Sequence, residues 1–123
     1  MKILMAIGTG SFIGGVLRYL IAEFVQTRHL TSFPIGTLTV NLIGCFIIGI
    51  VFGLADKGNL TQEWRLFLAT GLLGGFTTFS AFSIETIGML RDGQFWSAAA
   101  YIFLSVILGL FVAFLGILII KLF

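Results

Sequence analysis

Four long stretches of this chain carry no charged side chain, and they limit what it can fold into. They cover residues 3–17, 35–55, 66–84 and 93–120, and the first continues apolar beyond Arg18. A helix needs about 20 apolar residues to cross the hydrocarbon layer of a bilayer, which is roughly 30 Å thick. Each stretch reaches that length when Arg18 is tolerated in the first. The pattern therefore predicts an all-α integral membrane protein with four transmembrane helices.

The composition supports this class and excludes others. Apolar residues make up 59% of the 123 residues and charged residues only 10%, whereas soluble domains contain about a quarter charged residues. The length predicts a single domain over residues 1–123, with approximate spans 3–25, 35–55, 64–90 and 94–121. One cysteine and one histidine exclude an internal disulfide and a histidine cluster for a metal. No basic run, carboxylate pair or P-loop is present, so neither nucleic-acid binding nor an enzyme is expected.

The charges that flank the spans indicate orientation only weakly. Four crossings place both termini and the middle loop on one side of the membrane. The cationic residues number four on that side and two or three on the other: Lys2, Lys57, Arg65 and Lys121 against Arg28, Arg91 and, if it snorkels there, Arg18. The positive-inside rule acts on such differences. Two interpretations remain open, a modest bias toward cytoplasmic termini and a protein that inserts in both orientations.

Two of the spans carry a polar stripe with a spacing of four residues. In the second span it consists of Thr37, Asn41 and Cys45, and in the fourth of Ser97, Tyr101 and Ser105. Residues four apart lie on the same face of a helix. Polar groups inside a bilayer are costly and tend to be functional, although they also hold helices together. The two stripes favour a shared polar lane between helices.

The third span contains residues that weaken a helix. Residues 71–83 read GLLGGFTTFSAFS, with a glycine pair, two threonines and two serines in mid-span. Glycine and threonine are poor helix formers. The sequence is compatible with a break near residues 74–78 and equally with a continuous helix that has a packing notch. Backbone carbonyls freed by a break at membrane depth commonly coordinate a cation.

Two charged residues near span ends have open roles. Arg18 lies about 23 Å along its helix from residue 3, where it could snorkel to headgroups or face a water-filled vestibule that attracts anions. Glu85 lies at the end of the third span. The sequence does not define a role for Glu85 or for Cys45.

Three segments together resemble a known family. Residues 74–85 (GGFTTFSAFSIE), 36–44 (GTLTVNLIG) and 14–19 (GGVLRY) are similar to the signature of the Fluc (CrcB) family of small bacterial fluoride ion channels. Their order and spacing match, and the resemblance extends over essentially the whole chain. It implies a passive channel in the bacterial inner membrane that exports fluoride and thereby lowers its toxicity.

The resemblance also implies an assembly and a set of sites. Members form antiparallel, dual-topology homodimers with two pores, and the third helix is broken in mid-membrane. A structural sodium ion at the dimer centre would be held by the backbone carbonyls of Gly74 and Thr77, and Arg18 would lie in the vestibule. The fluoride pore would be lined by Asn41, Phe79, Phe82, Ser80, Ser83, Tyr101, Ser105 and Thr37.

Two other classes of function compete with a channel. A small four-helix, proton-coupled drug exporter needs a carboxylate inside the bundle, but Glu23 and Glu85 lie at span ends. A structural membrane subunit would explain the abundant glycines without explaining two polar stripes. A comparison of fluoride and chloride efflux from liposomes separates these functions.

Overall fold

The helices end where the sequence becomes polar. The computed structural model describes residues 1–123, and it is helical apart from short connections and has no β-strand. Its helices are α1 (Lys2–Arg28), α2 (Ile35–Asp56), α3 (residues 62–76), α4 (Phe79–Arg91) and α5 (Phe95–Leu122). Two stretches have π-helical hydrogen bonding, Leu66–Leu73 in α3 and Leu104–Leu108 in α5.

Four helical segments are long and apolar enough to cross a membrane. They are α1, α2, the segment Gln62–Arg91 that α3 and α4 form together, and α5. This confirms the prediction of an all-helical protein with four such spans. The first helix continues past its predicted end at residue 25 to Arg28, so Gln26 is helical and does not belong to the first loop.

Local chemistry explains the connections between these helices. Pro34 precedes α2 with a φ of −76°, and proline suits a helix start because its missing N–H would be unpaired there. The Thr61 hydroxyl accepts a hydrogen bond from the Trp64 N–H at the start of α3, which caps that helix. Gly58 and Gly93 have φ values of 74° and 76° in the second and third loops. Glycine adopts this left-handed conformation without a steric penalty.

Small residues let the helix backbones approach closely. A Cβ atom added at Gly10 would lie 2.8 Å from backbone atoms of α3, and one added at Gly14 would collide with the Leu72 carbonyl. Between α2 and α5, an added Cβ at Gly49 would collide with Ala113, and one at Gly116 with Phe46. This packing explains why glycines such as Gly10 and Gly14 are four residues apart, on one face of a helix, since helices in lipid associate through close van der Waals contact.

Much of the apolar surface faces outward. Only 19 of the 123 residues are buried, and large apolar side chains such as Phe12, Phe114 and Leu110 are exposed. A water-soluble protein rarely exposes continuous apolar surface on this scale. The outer face therefore suits hydrocarbon or a second protein surface.

The backbone leaves helical geometry between α3 and α4. Thr77 has φ −87° and ψ 155°, and Thr78 has φ −147° and ψ 113°, so both are extended. At the end of α3, the N–H and the hydroxyl of Thr77 both donate to the Leu73 carbonyl, at 3.0 Å and 2.9 Å. The Thr78 hydroxyl accepts from the Ala81 N–H at 3.2 Å, which caps the start of α4. We call residues Thr77 and Thr78 the interruption.

Candidate functional site

Asn41 pairs with the interruption through both atoms of its side-chain amide. Its Nδ2 donates to the Thr78 carbonyl at 3.0 Å, and its Oδ1 accepts from the Thr78 N–H at 2.8 Å. The amide thus replaces the helical partners that Thr78 would otherwise have. An asparagine amide has two N–H donors, so one remains for a further acceptor.

The interruption removes the usual donors of two backbone carbonyls. In a continuous α-helix, the Gly74 carbonyl accepts from the N–H of residue 78 and the Thr77 carbonyl from that of residue 81. Here the Thr78 N–H donates to Asn41 and the Ala81 N–H to the Thr78 hydroxyl. Both carbonyls therefore lose their helical donor at the place where the resemblance implies cation ligands.

A carboxylate lies between two hydroxyl groups from neighbouring helices. Glu85 Oε1 accepts from the Thr37 hydroxyl at 2.7 Å, and Glu85 Oε2 accepts from the Tyr101 hydroxyl at 2.6 Å. We call Thr37, Glu85 and Tyr101 the carboxyl cluster. Tyr101 is completely buried, so its hydroxyl needs such a partner. The cluster joins the two polar stripes through a residue whose role the sequence left open.

Aromatic rings continue from this cluster toward the surface. The ring centroids of Tyr101 and Phe82 are 5.1 Å apart, and those of Phe82 and Phe79 are 5.4 Å apart, with interplanar angles of 44° and 43°. Phe82 is half-buried, whereas Phe79 is 78% exposed. Tilted rings present hydrogen-bearing edges, which are the positive part of the aromatic quadrupole.

A cavity of about 360 Å³ opens beside the interruption. Its lining includes several predicted pore and cation residues: Asn41, Gly74, Thr77, Phe79, Phe82 and Ser105. The hydroxyl oxygen of Ser105 is buried there without a hydrogen-bond partner. Cys45 also lines this cavity, so the two polar stripes share one space.

A second cavity has a volume of about 380 Å³. Arg18, Thr37 and Glu85 line it, and Thr78 lines both cavities. The Arg18 Nε donates to the Gly75 carbonyl at 3.1 Å near the end of α3. Arg18 is therefore directed into the protein and caps a helix terminus, where a cation is favourable.

Three predicted pore residues line neither of these cavities: Ser80, Ser83 and Tyr101. The Ser80 hydroxyl is 3.2 Å from the Thr78 hydroxyl, and the Ser83 hydroxyl donates to the Phe79 carbonyl of its own helix at 2.9 Å. Sequence reasoning also did not identify a role for Gln26, which lines the second cavity and makes three hydrogen bonds to backbone groups. The first span was predicted to end at residue 25, which placed Gln26 in the loop that follows. Nothing in the local sequence pattern indicated its contacts.

The fold and the site define a class before any comparison is made. Four apolar helices that could cross a membrane border two cavities, which are lined by an amide, a carboxylate, hydroxyls and a guanidinium. This arrangement is that of a multi-pass membrane protein with polar side chains along its cavities.

Comparison with known proteins identifies the family. The family model described as "CrcB-like protein, Camphor Resistance (CrcB)" matches residues 5–117. The fluoride-specific ion channel of a Thermus thermophilus strain is 46% identical over 112 residues, which are 91% of this chain and 90% of the relative. That of Aquifex aeolicus is 44% identical over 117 residues and 94% of both chains. The chain therefore belongs to the CrcB-like family; it is a multi-pass bacterial membrane protein of an ion-channel family and not an enzyme.

Proposed function

We propose that this protein is a fluoride channel that lets the anion leave the cytoplasm passively. The observation that carries the proposal is the convergence of Asn41, Phe79 and Phe82 on one cavity beside the interruption. Relatives that cover most of the chain are named fluoride-specific ion channels. Fluoride is small and strongly hydrated, so a pore must replace its water with donors. Conduction also requires that the anion can leave each site.

The two cavities suggest a path for the anion. An ion attracted by Arg18 would enter the second cavity and reach Thr78, which borders both cavities. The remaining N–H of Asn41 and the edges of Phe79 and Phe82 would then receive it. Neutral donors and ring edges bind an anion more weakly than a lysine or a metal would, which permits release. In this path Tyr101 and Thr37 act through Glu85, to which their hydroxyls already donate.

An antiparallel homodimer with two pores completes this proposal. Support comes from the exposed Phe79 ring, the open cavity beside it and the nearly balanced cationic residues on the two sides. Tags at both termini, labelled from outside intact cells, should each be reached in about half of the copies, since near-balanced charges do not favour one orientation. A uniform orientation would contradict the antiparallel assembly.

A structural sodium ion would lie where the two interruptions meet. Its support is the pair of carbonyls, Gly74 and Thr77, that lose their helical donors. Oxygen ligands without sulfur suit a hard cation, and two copies would supply four such carbonyls. When bound, the ion would neutralise the partial negative charge of these carbonyls and hold the two subunits together. Exchange of all sodium for N-methylglucamine, which is too large for the site, should lower fluoride flux and dimer stability; unchanged values of both would contradict the sodium site.

The central experiment measures anion efflux from proteoliposomes. Vesicles loaded with potassium fluoride or potassium chloride are diluted into potassium-free buffer that contains only a large, impermeant organic anion, and valinomycin starts the efflux. We expect fluoride efflux that is much faster than in protein-free vesicles, and chloride efflux close to that background. Equal rates for the two anions would contradict a fluoride channel.

Proton-coupled export is the second candidate because Glu85 lies within the helix bundle. Both of its carboxylate oxygens accept hydrogen bonds from hydroxyl groups, those of Thr37 and Tyr101. The two functions differ in their driving force. Fluoride efflux that follows its own gradient at equal pH on both sides supports the channel, whereas an absolute requirement for a pH gradient supports the exporter.

A further inference from the structure

Gln26 makes three hydrogen bonds to backbone groups outside its own helix. Its Nε2 donates to the carbonyls of Thr31 and Phe33, each at 3.1 Å. Its Oε1 accepts from the Gly36 N–H at 3.0 Å. Both N–H donors and the acceptor oxygen of the amide are thus in use.

These bonds give backbone groups of the first loop and of α2 hydrogen-bond partners that the loop and α2 do not supply themselves. Gly36 lies in the first turn of α2, where N–H groups lack helical partners, and Pro34 provides no side-chain cap. Gln26 therefore acts as the cap of α2 from a neighbouring helix. Residues 29–34 form the whole loop between α1 and α2. Through its bonds to Thr31 and Phe33, Gln26 also connects this loop to α1.

The loop held by Gln26 lines the second cavity and also packs against Tyr101 of the carboxyl cluster. Ser32 and Pro34 line that cavity together with Arg18 and Gln26. The Phe33 ring packs edge-on against Tyr101, with centroids 5.6 Å apart and an interplanar angle of 84°. A loop that moves would therefore change both the lining of the second cavity and the contact on Tyr101.

We propose that Gln26 is a positioning residue that holds this loop in place along the second cavity and sets how readily the anion gains access to it. The proposal rests on the proposed channel function. Gln26 does not contact the permeating ion in this scheme; it acts through Ser32, Pro34 and Phe33. Its loss should raise the fluoride concentration that gives half-maximal flux and leave maximal flux near that of the wild type.

Two substitutions and one control test the proposal. Gln26→Leu removes all three bonds, whereas Gln26→Glu keeps an acceptor for Gly36 but turns an oxygen toward two carbonyls. Thr27→Val is the matched control, because the Thr27 hydroxyl donates only to Glu23 and Phe24 of its own helix. Each purified variant is digested with trypsin in detergent, and its fluoride flux is measured over a range of concentrations.

We expect faster cleavage after Arg28, next to the loop, in both Gln26 variants. The loss of two donated hydrogen bonds predicts an increase of about thirtyfold, with cleavage after Lys57 unchanged as the internal control for folding. The half-saturating fluoride concentration should rise severalfold in both variants, and more at low salt for Gln26→Glu, because screening of its added charge is then weak. Thr27→Val should match the wild type in both measurements.

The outcomes separate this proposal from the channel function. Wild-type cleavage after Arg28 in both Gln26 variants would overturn the proposal, and so would faster cleavage with an unchanged half-saturating concentration. A wild-type protein that moves no fluoride would refute the channel function and, with it, the control of anion access. Faster cleavage after Arg28 would still support Gln26 as the anchor of the loop.

Discussion

Replacing Asn41 with Asp tests the pairing between α2 and the interruption. The substitution preserves the size of the side chain. It also keeps an oxygen that accepts from the Thr78 N–H, a bond of 2.8 Å in the wild-type protein. It exchanges the Nδ2 donor, 3.0 Å from the Thr78 carbonyl, for an oxygen. Two acceptors then face each other, and the introduced charge lies beside the proposed anion path.

The expected effect follows from these two contacts. A neutral hydrogen bond contributes about 1 kcal/mol, and a partly buried carbonyl left without a donor loses about 1–3 kcal/mol. The remaining bond from the Thr78 N–H becomes charge-assisted, which offsets part of this loss. We therefore expect the free energy of unfolding to fall by about 1–3 kcal/mol, and fluoride flux to fall to the background of protein-free vesicles.

The measurement pairs unfolding in mixed detergent micelles with fluoride efflux from proteoliposomes. Thr39→Val is the control on the same helix, because the Thr39 hydroxyl donates only to the Ile35 carbonyl one turn earlier, at 2.7 Å. That variant should retain flux and lose little stability. If Asn41→Asp kept both the unfolding free energy and the flux of the wild type, the pairing would neither hold the interruption nor border the path.

Three further predictions concern the rings, the carboxyl cluster and the helix packing. Replacing Phe79 or Phe82 with Ile keeps apolar bulk but removes the ring edge, so fluoride flux should collapse while the protein still purifies as a single species; wild-type flux in both variants would make these rings packing residues. Tyr101→Phe removes a donor 2.6 Å from a carboxylate oxygen and should lower the unfolding free energy by about 1–3 kcal/mol; an unchanged value would show that this bond is not needed. Gly14→Val should abolish the yield of monodisperse protein because its Cβ meets the backbone of α3, whereas Gly8→Val should be tolerated because nothing lies within 4 Å of an added Cβ there; equal yields would refute the packing argument.

The interruption shows how far a local pattern can lead. Residues 71–83 combine glycine and hydroxyl residues that weaken a helix, but they do so over many positions. A break and a continuous helix with a notch are therefore equally compatible with the sequence. The extended backbone lies at Thr77 and Thr78, where Asn41 takes the Thr78 N–H and carbonyl. That partner is 37 residues away in the chain, so no local pattern could indicate it.

The class of this protein and the number of its spans follow from residue types alone. Charge-free stretches of this length have only one favourable environment, because transfer of polar or charged groups into hydrocarbon is costly and that of apolar groups is not. Short signature segments were enough to indicate the family, which the match over residues 5–117 confirms. These properties depend on composition and spacing along one chain, which the sequence displays directly.

The pairing of the polar groups, in contrast, follows only from the way the helices pack. Glu85 lies at the end of a span in the sequence. Its carboxylate nevertheless accepts hydrogen bonds from the hydroxyls of Thr37 and Tyr101, which are 48 and 16 positions away in the chain. Gln26 was expected in a loop, but it is helical and holds that loop. Such pairings depend on how far each helix is rotated and how closely it approaches its neighbours. Both depend on the packing of glycines such as Gly14 and Gly49 against facing backbones, which is a property of helix pairs and not of any single segment.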